Sequence, residues 1–526
     1  MFVSQLTRAI TAAPLALLLS IPAAAAQTSY ELNQAGLDST VHAPIPGDPI
    51  KISSGFVSGK ILLSGVKAYL GIPYARPPIG ELRWADPQPA EAWEGVLNAD
   101  RFGAACAQPA SGSIRPISED CLFLNVWLPP NAKAGDKLPV IFWNHGGSFT
   151  RRDGGRPQHN GANLAAKGVI VVNANYRLGV FGRFAHPELT AASAHHTSGA
   201  QALQDILLAL AWTKQNIQAF GGDPENITYG GQSAGAAMVS ILQASPTAKG
   251  LFKRVFGFSG SVHNGMLPTI SLKEAERTGL AAMQAAGAKS IAELRKMPWD
   301  KVLREVSQAP ALVDGYVLPK TPRELFATGA QNDVPALIEN QRDEALNDLM
   351  TTKTLEEFRN VSAKLLGENA GIVLPHYTAT NDQEAEAAAR ALGVDEFFGR
   401  GALSWARTHA EFSKSPVYLG VFSRTDDEVV DHGASVAFWL GNLDFPDAEV
   451  PREVNSADLA LSEAMMAMLV QYAKVGNPSI EGAEWPAFTL KNQRRLNIGS
   501  PISVIGVTPG QDFFATHPDV QFLDDK

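Results

Sequence analysis

The chain has 526 residues, of which 45% are hydrophobic and 18% charged, a composition that argues against a disordered or fibrous protein and leaves ample length for a large core. Lys and Arg number 44 against 53 Asp and Glu, a formal net charge of −9. No basic run or stripe appears, which argues against nucleic acid or an anionic membrane surface as partner.

Residues 1–26 read as a secretory signal. Arg8 supplies the positive end, Ala12 to Ile21 the apolar stretch, and Ala24-Ala25-Ala26 a small-residue cleavage site before Gln27. The apolar run is too short to span a bilayer comfortably, and no later stretch is a transmembrane candidate. Residues 27–55 show no period and read as a surface extension. From Ile61 a strand-like run leads into the Pro-rich stretch Gly71-Ile72-Pro73-Tyr74-Ala75, whose prolines forbid helix. Cys106 and Cys121 are the two cysteines of the chain. Beyond an export signal they can pair, closing a loop of about 15 residues worth about 3 kcal/mol in the chain-entropy model. Two free core thiols are the other reading. No His spacing turns them into a metal site.

Ser118 to Trp127 alternates enough to be a strand. Leu138-Pro139-Val140-Ile141-Phe142-Trp143 and Val169-Ile170-Val171-Val172 are continuous apolar runs, as expected of buried strands. An apolar stripe at helical spacing runs from Ala202 to Phe220 and stops at Gly221-Gly222-Asp223-Pro224. Further strands are expected at Ile227-Thr228-Tyr229, Val255–Phe258, Val334–Glu339 and Pro416–Phe422. The stretches from Ser271 to Lys320 and from 345 to 412 read as short helices and irregular chain. Ser456 to Val475 reads as an amphipathic helix stopped by Gly476-Asn477-Pro478. Strands alternating with helices imply an α/β fold with a large, mostly parallel sheet and helices on both faces. The chemistry-bearing positions are spread along the chain, so residues 27–526 are expected to form one domain.

Gly231-Gln232-Ser233-Ala234-Gly235 places a serine on a tight turn between a strand and a helix. This is the G-x-S-x-G elbow, which lifts a hydroxyl clear of a sheet. Alone the motif is weak. In the arrangement that uses it, an acid and then a histidine follow the serine along the chain. Of the later histidines, His432 follows a strand and a loop and precedes Gly433. His263, His376, His409 and His517 lack that setting. Glu344 ends a buried strand, as an orienting carboxylate should, with Asp343 its neighbour. Gly146-Gly147-Ser148, directly after a buried strand, offers uncrowded backbone N–H groups for an oxyanion.

These residues resemble the type-B carboxylesterase and cholinesterase family of α/β-hydrolases. The resemblance runs from about residue 60 to 490. It rests on Gly71–Ala75 with Pro77-Pro78 and Leu82-Arg83-Trp84, Glu119–Val126, His145-Gly146-Gly147, Asn175-Tyr176-Arg177-Leu178-Gly179, Phe220–Pro224 with the elbow, Asp343-Glu344, His432-Gly433, and Gly476-Asn477-Pro478 with Trp485-Pro486. It implies the α/β-hydrolase fold with helical insertions around an active-site gorge. It also implies Ser233 as nucleophile, Glu344 as acid and His432 as base. The oxyanion donors would be the N–H groups of Gly147, Ser148 and Ala234, and Cys106 and Cys121 would form a disulfide. The activity implied is hydrolysis of small-molecule carboxylic esters through an acyl-enzyme, by a secreted or periplasmic enzyme. No cofactor and no metal are implied, and the oligomeric state is left open. An amide, carbamate or specialised-ester hydrolase, or a non-catalytic binding module of the same fold, are the alternatives. Three departures stand out. Gln232 replaces the usual acidic residue before the serine, Ser148 the usual third glycine of the oxyanion loop, and Ser435 the usual acidic residue three after the histidine. No tryptophan lies between Ala107 and Asp120, which discounts cholinesterase activity. An acidic loop, Asp426, Asp427, Glu428 and Asp431, precedes His432. Asn226-Ile227-Thr228 and Asn360-Val361-Ser362 are glycosylation sequons.

Overall fold

The computed structural model describes residues 40–41, 45–113, 115–263, 269–344, 347–424, 429–443 and 454–523. The expected signal segment and Asp426 to Glu428 lie outside them. The architecture is built on a sheet of 12 strands. In chain order these are β1 (Thr40–Val41), β2 (Lys60–Leu62), β3 (Lys67–Pro73), β4 (Phe123–Leu128), β5 (Leu138–Asn144), β6 (Ile170–Ala174), β7 (Gly222–Gln232), β8 (Arg254–Phe258), β9 (Ala336–Gln341), β10 (Val417–Arg424), β11 (Arg494–Gly499) and β12 (Ser503–Gly506). Across the sheet they follow the order β1-β2-β3-β4-β6-β5-β7-β8-β9-β10-β11-β12.

Strands β6 through β11 in that order pair in parallel. The flank from β1 to β6 and the last pair, β11 with β12, are antiparallel. The sheet is therefore more mixed than the alternation of strands and helices implied. A short turn suffices to reverse the chain, whereas each parallel pairing needs a long crossover. β11 and β12 were not anticipated, because β11 opens on Arg494-Arg495 and β12 is short and largely exposed. The expected surface extension is also corrected at its end. Ile50–Ile52 pairs antiparallel with Gly55–Ser58 in a separate three-stranded sheet.

The pleat of β5 shows how one strand serves two cores. Val140 and Phe142 enter the cluster on one face, and Ile141 and Trp143 the cluster on the other. Four helices matter for the site. They are α1 (Gln201–Asn216), α2 (Ala234–Ala244), α3 (Arg400–Phe412) and α4 (Ser456–Val475). Met238 and Leu242 of α2 and Trp405 of α3 cover the first face; Met465 and Leu469 of α4 cover the second. The Asn455 side chain caps α4 by accepting the Asp458 N–H, and Gly476 closes it in the left-handed conformation. The stretch 349–392 forms a helical cluster of its own with Phe513 and Phe514.

The run Asn175-Tyr176-Arg177 ties distant segments together at the end of β6. Asn175 Nδ2 donates to the carbonyl oxygens of Ala104 and Cys121, at 2.9 and 3.1 Å. Cys106 and Cys121 are joined in a disulfide. Arg177 forks onto the Asp205 carboxylate of α1, with Nη2 at 2.7 Å from Oδ1 and Nε at 2.9 Å from Oδ2. Asp205 is fully buried, and Arg177 is 3% exposed. Removing one member of such a pair strands the other charge in the core. Asp205→Ala is therefore expected to cost about 3–5 kcal/mol in urea unfolding; a loss below about 1 kcal/mol, the size of a surface ion pair, contradicts the assignment.

Candidate active site

β7 ends at Gln232 and α2 begins at Ala234. Ser233, between them, holds φ 55° and ψ −126°, a strained conformation for a residue with a Cβ. Its N–H donates to the Phe258 carbonyl at 2.8 Å, which fastens the turn to β8. The flanking glycines answer to the neighbouring strand. A Cβ on Gly231 would sit 2.5 Å from the Asn144 carbonyl oxygen, and one on Gly235 2.3 Å from the same atom. Backbone thus packs on backbone where β5 meets the elbow, and no side chain fits between.

β5 runs on into His145-Gly146-Gly147-Ser148. The Tyr176 hydroxyl donates to the His145 carbonyl at 2.9 Å and fixes the exit of the strand. Gly147 then takes φ 109°, Ser148 55° and Phe149 60°. Ser148 does adopt the left-handed backbone that a glycine would take more easily, and its side chain is exposed. The N–H groups of Gly147, Ser148 and Ala234 find no acceptor among the described residues. Donors left free beside a serine at the start of a helix can meet a developing negative charge.

The three residues expected to act together do meet. His432 Nε2 lies 2.9 Å from Ser233 Oγ, and His432 Nδ1 lies 2.8 Å from Glu344 Oε2. Glu344 is fully buried, and its other oxygen accepts the Gln341 N–H at 2.6 Å. Burial raises the Glu344 carboxyl above its ordinary value, while the bonds from His432 and Gln341 oppose the shift. Asp343 is not part of this chain of bonds. It pairs with Arg342 and accepts the Val430 N–H at 3.0 Å, which helps to seat the segment before His432. His409 is engaged with Ser415 and Gln243, and His263 packs against Trp405 and Phe326.

Several residues around this chain were not singled out from sequence. The Phe398 ring stacks on the His432 imidazole, with centroids 4.5 Å apart. Phe398 sits in a π-helical turn, Asp395–Gly399, which leads into α3. Such wide turns are common at functional sites, but no local sequence pattern marks them. Glu339 is a second buried carboxyl behind Glu344. Its Oε1 accepts from Ser435 Oγ at 2.9 Å and Gln341 Nε2 at 3.0 Å, and its Oε2 accepts from Trp439 Nε1 at 2.6 Å. Ser435, which stands where an acidic residue was expected, therefore meets an acid supplied by β9. A carboxylate directly after the apolar run Ala336-Leu337-Ile338, still within β9, was the available signal. Gln232 also reaches the site. Its side-chain nitrogen lies 3.2 Å from His432 Nε2, and its buried oxygen has no partner. Which amide atom faces the imidazole is an assignment, and turning the amide over would present an acceptor to the imidazolium.

A mixed sheet with a parallel centre, flanked by helices, with a serine elbow and a Ser-His-Glu chain beyond the ends of its strands, defines an α/β-hydrolase. The comparisons go further. The chain matches the family described as the Carboxylesterase family over residues 47–513. It is 31% identical to the fumonisin B1 esterase of Sphingopyxis macrogoltabida over 488 residues, 87% of this chain and 88% of that one. It is 32% identical to the para-nitrobenzyl esterase of Bacillus subtilis over 475 residues, 84% of this chain and 93% of that one. A carboxylesterase structure from Geobacillus stearothermophilus superposes with a TM-score of 0.75 at 31% identity, covering 89% of this chain and 99% of that one. The chain belongs to the carboxylesterase family and is a serine hydrolase of carboxylic esters. No helix among the described residues is long and apolar enough to cross a membrane.

Burial, with the Glu344 charge adding to it, pushes the Glu339 carboxyl up to about 8 from its ordinary 4.5. A raised carboxyl binds its proton more tightly in the folded state than in the unfolded one. The stability it contributes is complete below 4.5 and is lost as the pH rises towards 8. Glu339→Gln keeps a neutral group and removes that proton. Urea unfolding followed across this pH window should therefore show wild type falling more steeply than Glu339→Gln. Parallel curves would contradict the neutral, buried state of Glu339.

Proposed function

We propose that Ser233, His432 and Glu344 form the catalytic triad of a carboxylesterase that works through an acyl-enzyme. The observation that carries this reading is the single imidazole bridging Ser233 Oγ at 2.9 Å and Glu344 Oε2 at 2.8 Å. Both distances lie within the range for proton transfer and orientation. Ser233 attacks the ester carbonyl carbon while His432 Nε2 takes its proton. The carbonyl oxygen becomes an oxyanion, held by the N–H groups of Gly147, Ser148 and Ala234. Glu344 keeps Nδ1–H pointed at its own carboxylate, so Nε2 faces the serine. It also stabilises the imidazolium that forms. His432 then gives the proton to the departing alcohol oxygen. Water, deprotonated by the same nitrogen, attacks the acyl-serine; the bond from the acyl carbon to Ser233 Oγ then breaks, His432 returns the proton to Oγ, and the carboxylic acid leaves.

Residues 27–526 are read as one hydrolase domain exported behind the 1–26 leader. The Cys106–Cys121 disulfide supports an oxidising compartment, secreted or periplasmic. The substrate is a small-molecule ester, and the steps above call for no cofactor.

The test is hydrolysis of p-nitrophenyl esters by wild type, Ser233→Ala and His432→Ala. Removing a member of such a unit is expected to lower kcat by about 10⁴-fold or more while the folded signal and melting temperature persist. Turnover by Ser233→Ala within about tenfold of wild type would overturn the assignment.

A further inference from the structure

The turn that carries the free N–H groups is strained well past the residues that offer them. Four of the six residues from Gly147 to Arg152 have positive φ: Gly147 at 109°, Ser148 at 55°, Phe149 at 60° and Arg152 at 77°. Ser148, Phe149 and Arg152 carry a Cβ, and such backbone persists only where its surroundings hold it. Within the turn, the Gly147 carbonyl accepts the Thr150 N–H at 3.0 Å and the Arg151 N–H at 3.1 Å. Those bonds close the turn on itself but do not fix where it lies. On one side the Gly179 N–H donates to the Phe149 carbonyl at 2.6 Å. At the far end the turn is held by Gln108, a side chain for which the ester-hydrolysis scheme has no use.

Gln108 lies in the loop closed by the Cys106–Cys121 disulfide and is 1% exposed. Its Oε1 accepts the Arg152 N–H at 2.7 Å, and its Nε2 donates to the Arg152 carbonyl at 3.0 Å. The same Nε2 donates to the Cys106 carbonyl at 3.0 Å. One partner is a donor and two are acceptors, so the backbone itself settles which way this amide faces. Gln108 thus takes both main-chain groups of Arg152 and fastens them to the disulfide. Asp153, the next residue, pairs with Arg115 of the same loop and accepts from Ser113 Oγ at 2.8 Å. The packing leaves no slack. A Cβ on Gly147 would run into the Arg151 carbonyl oxygen, and one on Gly112 would lie 2.9 Å from Arg151 Cβ. A shift of Arg152 therefore reaches Gly147 through Arg151, which bonds to it and packs against it.

We propose that Gln108 is a positioning residue for ester hydrolysis: by holding the Arg152 main chain it sets the place of the Gly147 and Ser148 N–H groups that receive the oxyanion. The proposal rests on the ester-hydrolase reading and adds a residue that acts through the backbone and not on the substrate. Preorganised donors work only when aimed at the place the oxyanion will occupy, and a misplacement of about 1 Å costs on the order of 10²-fold in rate. The uncharged ester carbonyl depends less on these donors than the oxyanion does. The loss on removing Gln108 therefore falls on kcat and leaves KM nearly unchanged.

The test compares wild type, Gln108→Met and Gln108→Asn on p-nitrophenyl butyrate. It also measures inhibition by an alkyl trifluoromethyl ketone, whose adduct with a serine nucleophile places an O⁻ at the oxyanion position. Methionine keeps the length of the side chain and lacks all three bonds; asparagine keeps the amide and withdraws it by one methylene. In Gln108→Met, kcat should fall about tenfold or more with KM within about threefold, and the ketone should bind more weakly by the factor lost in kcat/KM. Gln108→Asn should fall between the two. Thr354→Ala, which removes the cap of the helix Leu355–Leu366, should lower the melting temperature and leave kcat and the ketone constant unchanged, so lost stability alone does not reproduce the pattern. A kcat and a ketone constant within about twofold of wild type in Gln108→Met, or a loss that appears in KM or leaves the ketone constant unchanged, overturns the positioning role and leaves the esterase standing. If Gln108→Met does not fold, Gln108→Asn decides by the same two readings. Failure of wild type to hydrolyse the ester or to bind the ketone removes the ester-hydrolase reading, and the positioning role with it.

Discussion

The close approach of β5 to the elbow is the constraint on which the rest of the site depends. The Asn144 carbonyl lies against the backbone of Gly231 and Gly235, closer than any Cβ permits. That contact sets the position of Ser233 and, just beyond the end of the same strand, of Gly146 and Gly147. A Cβ on Gly146 would itself lie 2.9 Å from the Ser233 Cβ. The hydroxyl and the free N–H groups are therefore presented by one packed unit. Parallel pairing between β5 and β7 holds this unit in register, with Asn144 opposite Gly231. The strain at Ser233, Ser148 and Phe149 is supported by the sheet around it.

Buried charge is handled differently on the two sides of His432. On the side of Glu344, two hydrogen-bond donors favour the ionised carboxylate against the effect of its burial, and the packing holds it still. Behind it Glu339 is held by Ser435, Gln341 and Trp439, and burial favours its neutral form. A neutral carboxyl in that place can bond its neighbours without adding a second negative charge next to Glu344. Gln232, on the other side, brings an amide to the imidazole where an acid was expected. The polar surroundings of the histidine thus carry less negative charge than the family pattern implies. The acid missing at Ser435 is returned from a different element.

The parts of this arrangement that were legible in the sequence are those built on local chemistry. A serine between glycines, an apolar, β-prone run before it and a helical run after it each leave a mark in the order of residues. β5, β7, α2 and α4 lie where such marks placed them. Glu344 and His432 were legible through chain order and their position after strands. What escaped was long-range. Ile50–Ile52 is too short to show a period, and β11 becomes a strand by joining an edge already made by β10. Glu339 reads as the first of three polar residues that close β9 until Ser435 and Trp439 arrive from residues about a hundred positions away. Phe398 meets His432 only because a π-helical turn rotates it there.

The central claim is that Ser233, activated by His432, is the nucleophile. Labelling the folded chain with a fluorophosphonate and locating the adduct by peptide mass spectrometry tests it most directly, because the reagent reports an activated serine whatever the natural substrate. The account predicts about one label per chain, on Ser233, lost when His432 is replaced. Labelling on another serine, or none on a folded chain, would contradict it.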